Sequence, residues 1–239
     1  MIVINEIMAD PTPAVLLPEV EFVELYNTTE YTINLEDCTY QIGSTEKSMP
    51  AYSLGGGEYL ILCDEDDVTL FESYGNTLGI ASFTLITNGG QTIIIYDTAM
   101  NVIDQVTYSD AWYQDSNKEE GGWTLEKIDP TNTCSPQTNW IASNDDNGGT
   151  PGEINSVYAV NNDTVSPEIL SVSVSASNEL TVIFSEPTDT TESLTLSKYD
   201  VTPDFGTPIF AMVNPENSNE ILIQYAASFA ENVNYELTV

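Results

Sequence analysis

The chain has 239 residues, enough for two ordinary domains, and sets 38 acidic residues against four basic ones, Lys47, Lys118, Lys127 and Lys198, for a formal charge of -34. Phosphate backbones are held by Lys and Arg, so this balance argues against nucleic acid and against anionic membranes as partners. Histidine and arginine are both missing, which removes Ser-His-Asp and Cys-His nucleophile activation and His-ligated zinc and leaves only carboxylate chemistry. No catalytic residue stands out, and the chain reads as a non-enzyme.

Short period-two runs follow one another from the start, with no long 3.6-residue stripe, and predict an all-β chain. Ile2 and Ile4, then Phe22 and Leu25 with Tyr26 nearby, predict two strands joined through the Pro-rich loop Asp10-Pro-Thr-Pro13. Further strands are expected at Ile33–Leu35, Tyr40–Ile42, Glu58–Leu62, Phe83–Leu85, Gln91–Tyr96 and Val102–Tyr108. Asn88-Gly-Gly90 supplies the positive φ of a tight hairpin turn. Asp67 to Tyr74 is compatible with one short helix or turn. No window is apolar for the ~18 residues a membrane helix needs, and no basic n-region precedes an apolar one at the start.

Several residues invite a functional reading. Trp112 and Tyr113 are adjacent aromatics in the polar loop Ser109–Asp115; exposed, they would stack on a sugar or anchor a protein, and otherwise they cap the end of a sandwich. Asp64, Asp66 and Asp67 form one acidic cluster and Asp145, Asp146 and Asn147 another, each offering oxygen ligands to calcium. Neither has the EF-hand spacing, and a solvated acidic turn is the competing account. Cys38, Cys63 and Cys134 permit one disulfide with a leftover thiol, in three pairings, or three buried thiols. Trp123 and Trp140 are expected to fill the core.

Ordered landmarks then point to a family. Asn5-Glu-Ile-Met8, Glu21-Phe-Val-Glu-Leu-Tyr-Asn27, Gly57-Glu-Tyr-Leu-Ile-Leu62, Asp97, Val102-Ile-Asp104, Thr124-Leu-Glu-Lys127, Asn139-Trp140 and Gly149-Thr-Pro-Gly152 together resemble the lamin tail domain in its bacterial extracellular form. The resemblance implies an immunoglobulin-like β-sandwich over residues 1–157. The family usually places arginine where this chain has Lys127, so a weaker internal ion pair with Glu6, Glu21 or Glu24 is expected.

Past Gly152 the pattern stops and restarts. Residues 158–166 read as a polar, Pro-terminated linker, and 167–239 alternate as a second antiparallel sandwich. Leu180–Pro187 and Asn234–Val239 resemble bacterial surface-layer-type Ig-like domains. About six strand-like runs against the usual seven predict an open edge, completed by residues beyond Val239. The combined expectation is two tandem β-sandwiches from an extracellular or cell-surface bacterial protein with further domains. Its role would be a non-catalytic binding, adhesion or spacer module that meets a protein or glycan. The alternative is an accessory carbohydrate-binding region of a secreted hydrolase.

Overall fold

The computed structural model describes residues 1–239 except 133–137, 163, 165, 189, 204, 215 and 216. Cys134 lies outside the described residues. The chain divides into two compact units, Met1–Asp163 and Thr164–Val239.

The first unit holds β1 (Ile2–Met8), β2 (Phe22–Asn27), β3 (Ile33–Asn34), β4 (Thr39–Ile42), β5 (Thr45–Ser48), β6 (Ser53–Leu54), β7 (Tyr59–Asp64), α1 (Val68–Phe71), β8 (Thr77–Ile80), β9 (Gly90–Tyr96), β10 (Val102–Ser109), β11 (Leu125–Lys127) and β12 (Trp140–Ala142). A six-stranded sheet in the order β12-β11-β1-β2-β7-β8 packs on a four-stranded sheet in the order β10-β9-β4-β5. Every pairing is antiparallel apart from β7 with β8. Alternation sends Ile2, Ile4, Ile7, Val23, Leu25, Leu60 and Leu62 inward to meet Tyr40, Ile42, Ile93, Ile95, Val106 and Tyr108 from the other sheet. This is an immunoglobulin-like β-sandwich. Trp140 is 1% exposed in its core, and Trp123 is partly buried against it.

A second apolar cluster lies on the outer face of the six-stranded sheet, where Met8, Phe22, Ile61 and Cys63 meet Leu17 and Phe71. Phe71 comes from α1, the one turn of helix that the Asp67–Tyr74 run makes. Cys38 and Cys63 are both buried free thiols, and burial pushes the Cys63 thiol up to about 12. Residues 159–161, part of the segment read as a linker, are tied to the first unit, since Ala159 N donates to Ile128 O at 3.1 Å and Asn161 N to Asp129 Oδ2 at 3.0 Å.

Described residues of the second unit form β13 (Ile169–Ala176), β14 (Glu179–Phe184), α2 (Thr190–Ser193), β15 (Asp200–Thr202), β16 (Phe210–Asn214), β17 (Asn217–Gln224) and β18 (Glu236–Thr238). A four-stranded sheet, β13-β14-β17-β16, and the pair β15-β18 enclose Leu180, Val182, Phe184, Val201, Ile221 and Ile223. The described residues are thus built mainly of β-sheets, joined by short loops and single helical turns.

Candidate functional site

The aromatic loop is taken up by the core. Residues Asp110–Tyr113 form a 3-10 turn whose N-terminus is capped by the Ser109 side chain. Tyr113 is 4% exposed, and its hydroxyl donates to Trp123 O at 3.1 Å; burial raises the phenol above its ordinary value. Trp112 stacks on Trp140 with ring centroids 6.5 Å apart. Tyr113 is thus buried and Trp112, partly exposed, stacks on a core ring, the end-cap arrangement that the sequence also allowed for this pair. The local sequence is polar, but the apolar partners arrive from positions 123 and 140, which no local window contains.

In each acidic cluster one carboxylate is tied to backbone N–H groups. Asp64 accepts from Asp66 N at 3.1 Å and from Phe83 N at 2.9 Å, and Asp67 stands at the start of α1. Asp145 accepts from Asn147 N at 2.9 Å, while Asp146 and Asn147 are exposed. Beside this second loop, Lys118 Nζ donates to Asn144 Oδ1 at 3.1 Å and to Ser143 O, so a cation of the chain itself already sits there. Among the described residues no three carboxylates or cysteines converge in a metal-binding arrangement.

Lys127 also differs from expectation. Its Nζ lies 3.5 Å from Asp104 Oδ2 and 5.6 Å from the centre of the Trp140 ring. Strand alternation is the cause: Lys127 shares a face with the core residue Leu125, whereas Glu126 pairs with Glu6 on the opposite face. Asp104, on β10, is the carboxylate that the inner face offers, and Ile4 N donates to the same Oδ2 at 2.7 Å. Glu21, the third candidate, instead accepts from Ile86 N at 2.6 Å.

The outer face of the six-stranded sheet carries the most unusual chemistry. A β-bulge between Ile4 and Glu6 breaks the period-two rule, so that Asn5 and Glu6 both bond on this side while Ile4 and Ile7 stay in the core. Glu126, Glu6 and Glu24 then stand in one row across β11, β1 and β2, each 0% exposed. Residues 149–158 cross over them as a strap. Thr150 N donates to Glu6 Oε1 at 2.8 Å and Thr150 Oγ1 to Glu126 Oε1 at 2.9 Å. Gly152 N donates to Glu24 Oε2, and Ser156 Oγ reaches Glu126 Oε2 at 2.8 Å.

The Gly-Thr-Pro-Gly signature is the tightest part of that strap. A Cβ on Gly149 would lie 2.6 Å from Glu6 Oε1, and Gly152 has a φ of +84°. Burial, then the charges of Glu24 and Glu126, hold the Glu6 carboxyl well above its ordinary value. Burial is also the leading cause at Glu24, which is pushed up to about 8.

Beyond this row the same face opens into a recess. Tyr26 and Tyr59, direct cross-strand partners, stack with centroids 4.5 Å apart. With Asn5, Pro130, Ile154 and Tyr158 they line a cavity of about 210 Å³. Ile154 is 65% and Tyr158 56% exposed. Asn5 Nδ2 donates to Glu24 Oε1 at 2.9 Å and to Asn155 Oδ1 at 2.7 Å. Its buried Oδ1 accepts no hydrogen bond from the described residues.

Asn5, Glu6, Glu24, Tyr26, Tyr59 and Glu126 all fall in the landmark segments, but neither the row nor the recess is legible there. The available signal was Asn5-Glu6, two successive polar residues within an otherwise apolar strand. A search of curated proteins gives no match. A scan against family models matches residues 1–110, most of the first unit's two sheets, to the Lamin Tail Domain, and this part of the chain is similar to that Ig-like family.

Proposed function

We propose that the chain is a non-catalytic binding or spacer module of a larger bacterial protein, displayed outside the cell. The observation that carries this reading is the fate of the perturbed carboxylates. Buried acids with raised pKa values are the groups a hydrolase would use for proton transfer. Here Glu6 and Glu24 are sealed beneath the strap and committed to Thr124, Thr150, Gly152 and Asn5. Both are 0% exposed. The alternative of an accessory carbohydrate-binding region drew on Trp112 and Tyr113, and it loses that support because both rings pack inward.

Two measurements test the proposal. Incubation with glycoside, ester and phosphoester substrates should give no turnover; turnover abolished by Glu24→Gln would overturn the non-catalytic reading. Antibody labelling of intact source cells should match labelling after permeabilisation. Signal seen only after permeabilisation would overturn the extracellular reading.

A further inference from the structure

We infer that the recess between the Tyr26–Tyr59 pair and the strap is a binding site for a primary alkylammonium group, such as a lysine side chain or a free aliphatic amine. The inference rests on reading the first unit as a binding module and adds the ligand's chemistry.

Three observations converge on that group. First, Asn5 Oδ1 is a buried acceptor with no donor among the described residues, and Asn5 is itself 1% exposed. Leaving a buried acceptor unmet is costly, so a ligand that brings an N–H donor is favoured there. The bulge on β1 lies at this residue, and Asn5 is among the residues that line the recess. Its orientation is fixed from behind, because both hydrogens of the carboxamide are engaged by Glu24 Oε1 and Asn155 Oδ1. Hydrogen-bonding to a glutamate also polarises the carboxamide and strengthens Oδ1 as an acceptor.

Second, the walls are aromatic. Tyr26 and Tyr59 stack on each other, and Tyr158, more than half exposed, lines the same recess from the strap. Tyrosine faces attract an ammonium through the ring quadrupole. A phenolate would attract it more strongly, but burial, with Tyr26, Glu24 and Tyr158 nearby, raises the Tyr59 phenol and keeps it neutral. The apolar rim at Pro130 and Ile154 suits the methylene stem of a lysine.

Third, no basic residue lines the recess among the described residues, and the chain's charge is -34. The field therefore concentrates cations and repels anions. A neutral sugar gains nothing from that field, which is why the ammonium is favoured over a glycan. A cavity of about 210 Å³ admits one such group with part of its stem.

The test is a titration of the 15N-labelled full chain, at physiological salt, with n-butylammonium chloride. Saturable shifts at the Asn5 side-chain amide and the backbone of Tyr26, Tyr59 and Tyr158 are expected, with n-butanol and methyl glucoside giving none. Tyr158→Phe should keep the affinity, whereas Tyr158→Ala should weaken it about tenfold. Should Tyr158→Ala loosen the strap, Ile154→Lys provides a second variant, its own ammonium at the rim reducing affinity for the probe. Spermidine and a capped Gly-Lys-Gly peptide separate the sources: tighter binding of the peptide assigns a protein lysine, tighter binding of spermidine a free amine.

Shifts scattered over the acidic surface, or an affinity unchanged in both variants, would overturn the site. Saturable glucoside binding at these residues would overturn the ammonium while leaving a binding module. Retention of cell-surface extract proteins that both variants leave unchanged would likewise remove the recess and not the broader reading.

Discussion

Glu6 and Glu24 face each other as register partners across β1 and β2, both at 0% exposure. Like charges in such positions repel strongly, so the pair is compatible with the fold when it retains protons. The strap supplies donors to one oxygen of each carboxylate, while Glu6 Oε2 is left without a donor among the described residues. Raised carboxyl pKa values of this kind link folding to proton uptake.

Stability should therefore fall as pH rises. Both folded-state values lie above that of an unfolded glutamate, about 4.3, so their stabilising contribution is full below that value and is lost as pH climbs through the folded value, about 8 for Glu24. Urea midpoints should be higher near pH 5 than near pH 8.5. Surface repulsion among the exposed acidic residues of a chain with charge -34 has the same sign but is screened by salt, whereas the buried pair is not. At high salt, Glu24→Gln should flatten much of the remaining slope; an unchanged slope would show that the linkage lies elsewhere.

Strand alternation made much of the fold legible in the sequence. Ile2, Ile4, Leu25, Ile93 and Ile95 could be placed because each lies in a short apolar run whose burial is set locally. The partners of Lys127, Trp112 and Tyr113 were not legible in the same way. Asp104, Trp140 and Trp123 lie at a distance in sequence and on other elements, and only the closed sandwich brings them together. The Asn5 bulge hides a further step, since one inserted residue changes which side chains reach the outer face without changing composition.

Removing the acid from the Lys127–Asp104 pair should be costly. Their side chains are 6% and 11% exposed, and Asp104→Ala would strand the ammonium and the Ile4 N–H together. Loss of one partner from a buried pair costs about 3 kcal/mol or more. Lys127→Met, which removes the charge and keeps the stem beside Trp140, should cost less. Equal losses in the two variants by urea unfolding would argue that packing, and not charge, dominates at this position.

Trp112→Ala and Tyr113→Ala are expected to lower stability, the second more than the first. Tyr113 is buried and also bonded to Trp123 O, which places its truncation near the ~3 kcal/mol of a large aromatic-to-alanine change. Trp112 is half-buried and loses mainly its stacking on Trp140. Unaltered urea midpoints in both variants would restore the loop as a free contact surface.

Calcium at millimolar concentration should raise the melting temperature no more than matched magnesium. Asp64 and Asp145 are engaged by backbone N–H groups, and Lys118 stands beside the 144–147 loop. A calcium-specific rise that disappears in Asp145→Ala with Asp146→Ala would place a site at the second cluster.

The second unit should self-associate through β13 once its charge is screened. This strand is an edge of its sheet, runs for eight residues without a charged side chain, and is exposed along its whole length. Val172 and Val174 pair in register with the buried Val182 and Leu180, yet remain 42% and 56% exposed. An uncharged edge with open backbone groups and apolar side chains is a template for another strand. At low ionic strength the chain's charge of -34 opposes contact. At roughly 1 M salt the Debye length shrinks to about 3 Å and that opposition fades. Sedimentation should then show concentration-dependent association that Val172→Lys abolishes by placing a charge on the open face. Association of equal strength in Val172→Lys would move the contact to another surface, and a monomer at every salt concentration would show that the exposed edge is already protected by its twist.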